Sequence, residues 1–277
     1  MDSYLKGRSA VVTGGASGQG RAIALALAAR GADVAIGSYL ADRPALEPGS
    51  DTYLPAPDEL DAVETEIAAC GVHALGVALD VRSNGSCAAF YDRALKAFGK
   101  IDILANAAGI GAEQPICGHP DSLWNEVIDT NLTGCYRMIK LCLPGMIERR
   151  WGRIINIAST AANIGAKDNP AYCASKAGIL GLTRCVALEG AAFGVTCNAI
   201  NPGFVNTGMM RSSVRTWLKA EGKGRTEEAF IAEIAAGYPQ KRIIQPREIG
   251  ALAAFLCHDD ALGLTMEDIT VAAGSLW

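Results

Sequence analysis

Seven short apolar runs recur along this chain with little polar alternation, and that pattern constrains its fold more than any other feature. They are SAVVTGG (9–15), DVAIGS (33–38), HALGVALDV (73–81), IDILANAAG (101–109), GRIINIAS (152–159), VTCNAINPG (195–203) and EDITVAAG (267–274). A strand that is apolar on both sides must be covered on both faces, which parallel sheets with helical crossovers achieve. Helical periodicity fills the gaps at about 18–30, 58–70, 84–98, 121–149, 170–193 and 247–257. The expected fold is therefore α/β: a doubly wound, Rossmann-type parallel sheet of about seven strands with helices on both faces. No composition break divides the chain, so 1–277 is expected to be one domain.

Half of the residues are hydrophobic, enough for a large core. Lys and Arg total 25 against 29 Asp and Glu, with no basic block, so a nucleic-acid partner is not expected. Nine cysteines form no C-x-x-C pair and read as reduced, buried small residues in a reducing compartment. Three scattered histidines give no ligand spacing, so no metal is expected. The N-terminus has no apolar signal core and no 18-residue apolar run follows. A cytoplasmic protein without a membrane association is the expectation.

Two segments break the βα rhythm. Residues 41–57 hold four of the eleven prolines and read as an extended insertion. Residues 204–246 are mixed and charged, and their place after the sixth strand suggests a substrate lid. Arg211, Arg215, Lys219, Lys223 and Arg225 either steer an anionic substrate or are balanced by Glu221, Glu227 and Glu228.

TGGASGQG (13–20) follows the first strand and opens a helix. Gly14, Gly18 and Gly20 let the backbone turn tightly against a pyrophosphate, which the free N–H groups of a helix N-terminus favour. Ser17 and Gln19 complete this turn. The turn fits T-G-x-x-x-G-x-G, and the chain resembles the short-chain dehydrogenase/reductase family over essentially its whole length. Gln19 departs from the aliphatic residue usual there. The resemblance also rests on Asp80-Val81, NAAG (106–109) and NPG (201–203). It implies that Asp80 and Val81 lie at the adenine of NAD(P). It places Asn106, Ala107, Ala108 and Gly109 beside the cofactor, and Pro202, Gly203, Val205 and Thr207 along the nicotinamide.

A carboxylate at the end of the second strand would select NAD. Ser38 stands there instead, with Asp42 and Arg43 further on. A 2′-phosphate is then tolerated, Ser38 can donate to it, and the reading leans to NADP. Ser17 argues the other way, since NADP-preferring relatives often carry Lys or Arg at that place.

PAYCASKAG (170–178) sets Tyr172 and Lys176 one helical turn apart, on one face, behind a proline suited to a helix's first turn. A tyrosine phenol is a poor proton carrier at neutrality, and a nearby ammonium eases its ionisation. Such a phenol can protonate a carbonyl oxygen as hydride arrives, or take the proton in reverse. Ser159 ends the fifth strand at the carboxyl edge, placed to polarise the same oxygen. In the family, the matching serine, tyrosine and lysine are catalytic and the lysine also grips the cofactor's ribose. The resemblance adds Asn131, from DTNLTG (129–134), as holder of a relay water. It further implies a homotetramer or homodimer paired through the long helices at 121–149 and 170–193. The ending ITVAAGSLW departs from the family's more familiar tail.

The expected function is NAD(P)-dependent interconversion of a secondary alcohol and a ketone. Residues 111–119 and 160–169 would supply a pocket for a mainly neutral small molecule. Alternatives are a 3-oxoacyl thioester reductase, which needs a basic surface for a carrier protein, and a non-catalytic NADP-binding regulator.

Overall fold

The computed structural model describes residues 3–42, 50–51, 53–222 and 224–275. Arg43, Lys223, most of the centre of the 41–57 insertion and the last two residues of the chain lie outside the described residues. Seven strands form the sheet: β1 (Ser9–Thr13), β2 (Asp33–Ser38), β3 (Ala74–Ala78), β4 (Ile103–Asn106), β5 (Gly152–Ile157), β6 (Val195–Pro202) and β7 (Asp268–Val271). All neighbours are parallel, in the order β3-β2-β1-β4-β5-β6-β7. The order reverses between β1 and β4, and ligands bind at the carboxyl ends of the strands flanking such a switch point.

Among the described residues nine helices are numbered in chain order, apart from the single turn Ala161–Ile164: α1 (Gly18–Ala28), α2 (Pro57–Ala68), α3 (Asn84–Phe98), α4 (Asp121–Ile128) and α5 (Gly134–Glu148), then α6 (Pro170–Gly190), α7 (Gly208–Glu221), α8 (Glu227–Gly237) and α9 (Pro246–Leu256). Successive strand residues face opposite sides of the sheet. Val12, Val34 and Ile36 accordingly pack with Ile23, Leu27, Val63 and Ile249 from α1, α2 and α9. Val11, Ala35 and Leu104 pack on the other face with Phe90, Met138 and Val186 from α3, α5 and α6. Burying each large aliphatic side chain stabilises the fold by about 1.5–3 kcal/mol.

Three expectations need correction. The helix expected over 121–149 is interrupted by a π-helical turn at Asp129–Thr133. The wider turn lets the Asn131 side chain engage Ile110, while Gly134 sits so close to Val81 that a Cβ would come within 2.9 Å of it. Residues 204–246 are not chiefly loop: they contain α7 and α8. Met210, Val214 and Trp217 share one face of α7 and pack with Phe230 and Ile243. Thr207 and Thr226 cap the two helices by accepting from the N–H groups of Met210 and Ala229. Among the cysteines, Cys87, Cys135, Cys142, Cys197 and Cys257 are buried, but Cys70, Cys117 and Cys185 are exposed.

The arginines of α7 and of its connection to α8 are neutralised locally. Arg211 and Arg215 both bind Glu227, and Arg225 binds Glu221 and Glu233. Arg211 further donates to Asn206. These pairs favour the balanced-surface reading of the charged segment over the steering one.

Candidate active site

A cleft of about 910 Å³, open solvent included, opens at the carboxyl ends of β1, β2 and β4. Its floor is the glycine turn between β1 and α1, contributing Gly14, Ser17, Gly18, Gln19 and Gly20. Gly14 has φ +68°, and a Cβ there would come within 2.8 Å of the Ala108 nitrogen. One on Gly20 would strike the Gly14 carbonyl oxygen at 2.1 Å. The turn therefore needs glycine for close backbone approach. The Thr13 hydroxyl accepts from the N–H groups of Ala107 (3.2 Å) and Ala108 (3.1 Å), tying β1 to the Ala107, Ala108 and Gly109 wall of the cleft. Ser17, the N-cap of α1, makes no side-chain capping bond. The first-turn N–H groups thus remain available to an anion.

At the β2–β3 side the lining includes Ser38, Tyr39, Asp80, Val81 and Arg82. The buried Ser38 hydroxyl accepts from the Ala16 N–H at 2.9 Å. Asp80 takes three hydrogen bonds from Arg82, two from the guanidinium and one from the backbone, all 2.9 Å. Burial pushes the Asp80 carboxyl up, but the hydrogen bonds and charge of Arg82 outweigh it and hold it below its ordinary range. Arg82 also binds Glu126 at 2.5 Å and lies over the Tyr39 ring, 4.8 Å from its centroid.

The proton-handling candidates meet at the β4–β5 side. Lys176 is buried on α6, with Nζ donating to the Ile157 carbonyl at 2.8 Å and lying 5.5 Å from the Tyr172 ring centroid. Tyr172 is half-buried against Ile110, Leu123 and Val127. Asn131 is fully buried: Oδ1 accepts from Ile110 N–H at 2.8 Å, and Nδ2 donates to the Ile110 carbonyl (2.9 Å) and the Ser175 hydroxyl (3.1 Å). A Cβ on Gly109 would lie 3.3 Å from Asn131 Oδ1 and 3.6 Å from Lys176 Nζ, so both groups converge on the cleft wall. Ser159, just beyond β5, is half-buried and its hydroxyl accepts from Ala161 N–H at 3.1 Å.

The cleft brings together Gly14, Ser17, Gly18, Gln19, Gly20, Ser38, Asp80, Val81, Ala107, Ala108, Gly109 and Thr207. Asn106, Tyr172, Lys176, Pro202, Gly203 and Val205 do not line it. Asn106 is buried and donates to Asn156 at 2.8 Å, and Val205 is in the core under the lid. Pro202 ends β6, and Gly203 follows it with its N–H on the Val271 carbonyl.

Sequence reasoning missed Tyr39, Arg82 and Thr130, together with Tyr53, Leu54 and Pro55 of the insertion and Gly208 and Met209 of the lid. Tyr39 and Arg82 directly follow predicted residues, so adjacency was the only signal for them. Tyr53 lies against Gly208, whose Cβ would come within 2.9 Å of its ring, and its hydroxyl bonds Glu59. That bond, then burial, pushes the Tyr53 phenol up to about 12.

The cleft fits a dinucleotide. It has a backbone cradle that a Cβ would fill, and two buried polar atoms, Gln19 Oε1 and Thr130 Oγ1, without a partner among the described residues.

Comparison with known proteins agrees with this geometry. Residues 8–217 match the family described as short chain dehydrogenase. D-beta-hydroxybutyrate dehydrogenase of Cupriavidus necator is 36% identical, the match covering 93% of each chain. The 3-oxoacyl-(acyl-carrier-protein) reductase of Vibrio cholerae is also 36% identical, over 98% of each. Among solved structures, that of actinorhodin polyketide ketoreductase with NADPH superposes with a TM-score of 0.86 at 33% identity, covering 99% of this chain and 98% of the other. Matches of that extent leave one assignment: the chain is an oxidoreductase of the short chain dehydrogenase family.

Proposed function

We propose that the protein interconverts a small secondary alcohol and its ketone with NAD(P) held along the glycine turn. When bound, the nicotinamide supplies or accepts the hydride. In reduction, the Tyr172 hydroxyl donates its proton to the carbonyl oxygen, while the Ser159 hydroxyl hydrogen-bonds the same oxygen and polarises it. In oxidation both steps reverse. The Lys176 ammonium stands beside Tyr172 and has N–H donors left for a ribose hydroxyl after its bond to Ile157. Asn131 has committed both N–H donors to Ile110 and Ser175, so it acts first as a positioning residue. Its Oδ1 accepts one bond, from Ile110, and keeps a second lone pair for a relay water.

One observation carries this reading: a buried ammonium 5.5 Å from a half-buried phenol ring, against the wall of a glycine-floored cleft. The test is a panel of secondary alcohols with NAD and NADP, followed by absorbance of the reduced cofactor. Wild type should turn over some member of the panel, and Tyr172→Phe should bind cofactor without turnover. Equal turnover by Tyr172→Phe would remove the mechanism.

The preference leans to NADP, because Ser38 rather than a carboxylate ends β2 and lines the cleft. Arg82, a cation of the same lining, is held by Asp80 and Glu126. A ratio of kcat/KM values favouring NADH more than tenfold would overturn this.

The names of the carrier-protein and polyketide reductase relatives favour a second reading, 3-oxoacyl thioester reduction. The ion-paired Arg211, Arg215 and Arg225 leave little basic surface for an acidic carrier, which favours a small free substrate. A cytoplasmic homotetramer or homodimer completes the proposal. The outer faces of α5 and α6 expose Tyr136 and Leu188, apolar surface of the kind subunits cover.

A further inference from the structure

Tyr53, Leu54 and Pro55 line the cofactor cleft, yet they belong to the 41–57 insertion and not to the βα units that make its floor. Tyr53 stands on Gly208, the first residue of α7. A Cβ on Gly208 would lie 2.9 Å from the ring's Cγ and 3.2 Å from both Cδ atoms, so the glycine meets the ring on its face. The hydroxyl of that ring donates to Glu59, whose carboxylate also accepts from the Ala56 N–H at 2.8 Å. Tyr53 is therefore held in place by the start of α2.

These contacts belong to a closed ring. The glycine turn meets the start of α7 where a Cβ on Gly18 would lie 3.3 Å from the Thr207 methyl carbon. Gly208 follows and carries the Tyr53 ring. Two residues beyond Tyr53, the Pro55 carbonyl accepts from the Ala41 N–H at 2.9 Å, which returns the chain to the end of β2. There the Ser38 hydroxyl accepts from the Ala16 N–H at 2.9 Å, back inside the glycine turn. Gly18, Thr207, Gly208, Tyr53, Pro55 and Ser38 all line the same cleft, so the ring runs around it. Covalent chain and backbone hydrogen bonds make most of this circuit. The meeting of Tyr53 with Gly208 is a ring laid on a backbone carbon, and dispersion contacts of that kind are individually weak.

We infer that the protein encircles its bound dinucleotide, and that the Tyr53 ring lifts from Gly208 each time the cofactor enters or leaves. This rests on the dinucleotide reading of the cleft. Tyr53 and Gly208 are positioning residues that set the rate of cofactor exchange and take no part in the hydride step.

The test is stopped-flow fluorescence of NADPH and of NADH, binding to the protein and then displaced by excess NADP or NAD. Wild type is compared with Tyr53→Ala, Tyr53→Phe and Gly208→Ala. Tyr53→Ala removes the ring, whereas Gly208→Ala keeps it and wedges it off the backbone. Both should raise the association and dissociation rates together, by about tenfold, with Kd changing much less. Tyr53→Phe keeps the ring but loses the Glu59 bond, and should fall between them and wild type. Because the two alanine variants act by opposite routes, a folding defect in one leaves the other to decide. A dissociation rate that rises alone, with Kd weakening in step, would make Tyr53 an ordinary cofactor contact, and unchanged rates would mean that the cofactor passes elsewhere. Either overturns the inference while leaving the cleft's function standing. A wild type that binds neither reduced cofactor would instead remove the dinucleotide reading, and this inference with it.

Discussion

The two walls of the cleft are built on different principles. On the strand side, functional groups are fastened to backbone: Thr13 to Ala107 and Ala108, Lys176 to Ile157, and Asn131 to both polar groups of Ile110. On the lid side, α7 and α8 hold together through a small cluster around Met210, Val214 and Ile243, and through ion pairs at the surface. Trp217 links α7 to the 111–119 segment by donating to Glu113, with its ring edge-on to Phe204. The difference teaches where precision is concentrated. The residues proposed to handle protons are tied to backbone of the sheet and its neighbouring loops, whereas α7 and α8 are held chiefly to each other.

That contrast can be broken most forcefully at Tyr172. Replacement by Phe should lower kcat by at least about 10²-fold with the melting temperature nearly unchanged, because only the proton carrier is lost. Steady-state rates and a thermal melt check both halves. Next in size, Asn131→Ala should destabilise the fold by about 1–3 kcal/mol in denaturant titrations, since it strands buried partners on Ile110 and Ser175. An unchanged midpoint would mean that the strand wall is not fastened as described.

The lid should respond in kinetics rather than stability. Trp217→Phe keeps the ring and loses the Glu113 bond, so KM should rise about three- to tenfold while kcat and the melting temperature hold. A kcat loss equal to the KM change would place Trp217 nearer the chemistry than the comparison allows. The smallest effect belongs to Arg215→Ala. Its exposed pair with Glu227 should be worth less than about 0.5 kcal/mol by denaturation.

The sheet was readable because uninterrupted apolar runs leave a chain few other ways to cover both faces, and each of the seven runs contains a strand of the sheet. Gly14, Gly18 and Gly20 were readable because close backbone approach excludes other residues. What escaped notice depends on partners distant in sequence. The roles of Arg82 and Asn131 emerge only when Glu126 and Ile110 come near them. The π-helical turn leaves no trace in periodicity, and the Asn131 bonds to Ile110 that accompany it join segments distant in sequence. Helix α7 was obscured by its charges, which compose its solvent face while Met210, Val214 and Trp217 form the inner one.

The widened turn at Asp129–Thr133 has a bearing on how this protein can change by insertion or deletion. Each residue added to or removed from a helix rotates everything beyond it by about 100°. Deleting one residue between α4 and α5 would relax the turn to ordinary pitch and swing Asn131 off Ile110. The lengths of surface loops can drift during evolution with little harm, but the spacing from Asp121 to Asn131 is a phase setting that admits no such drift.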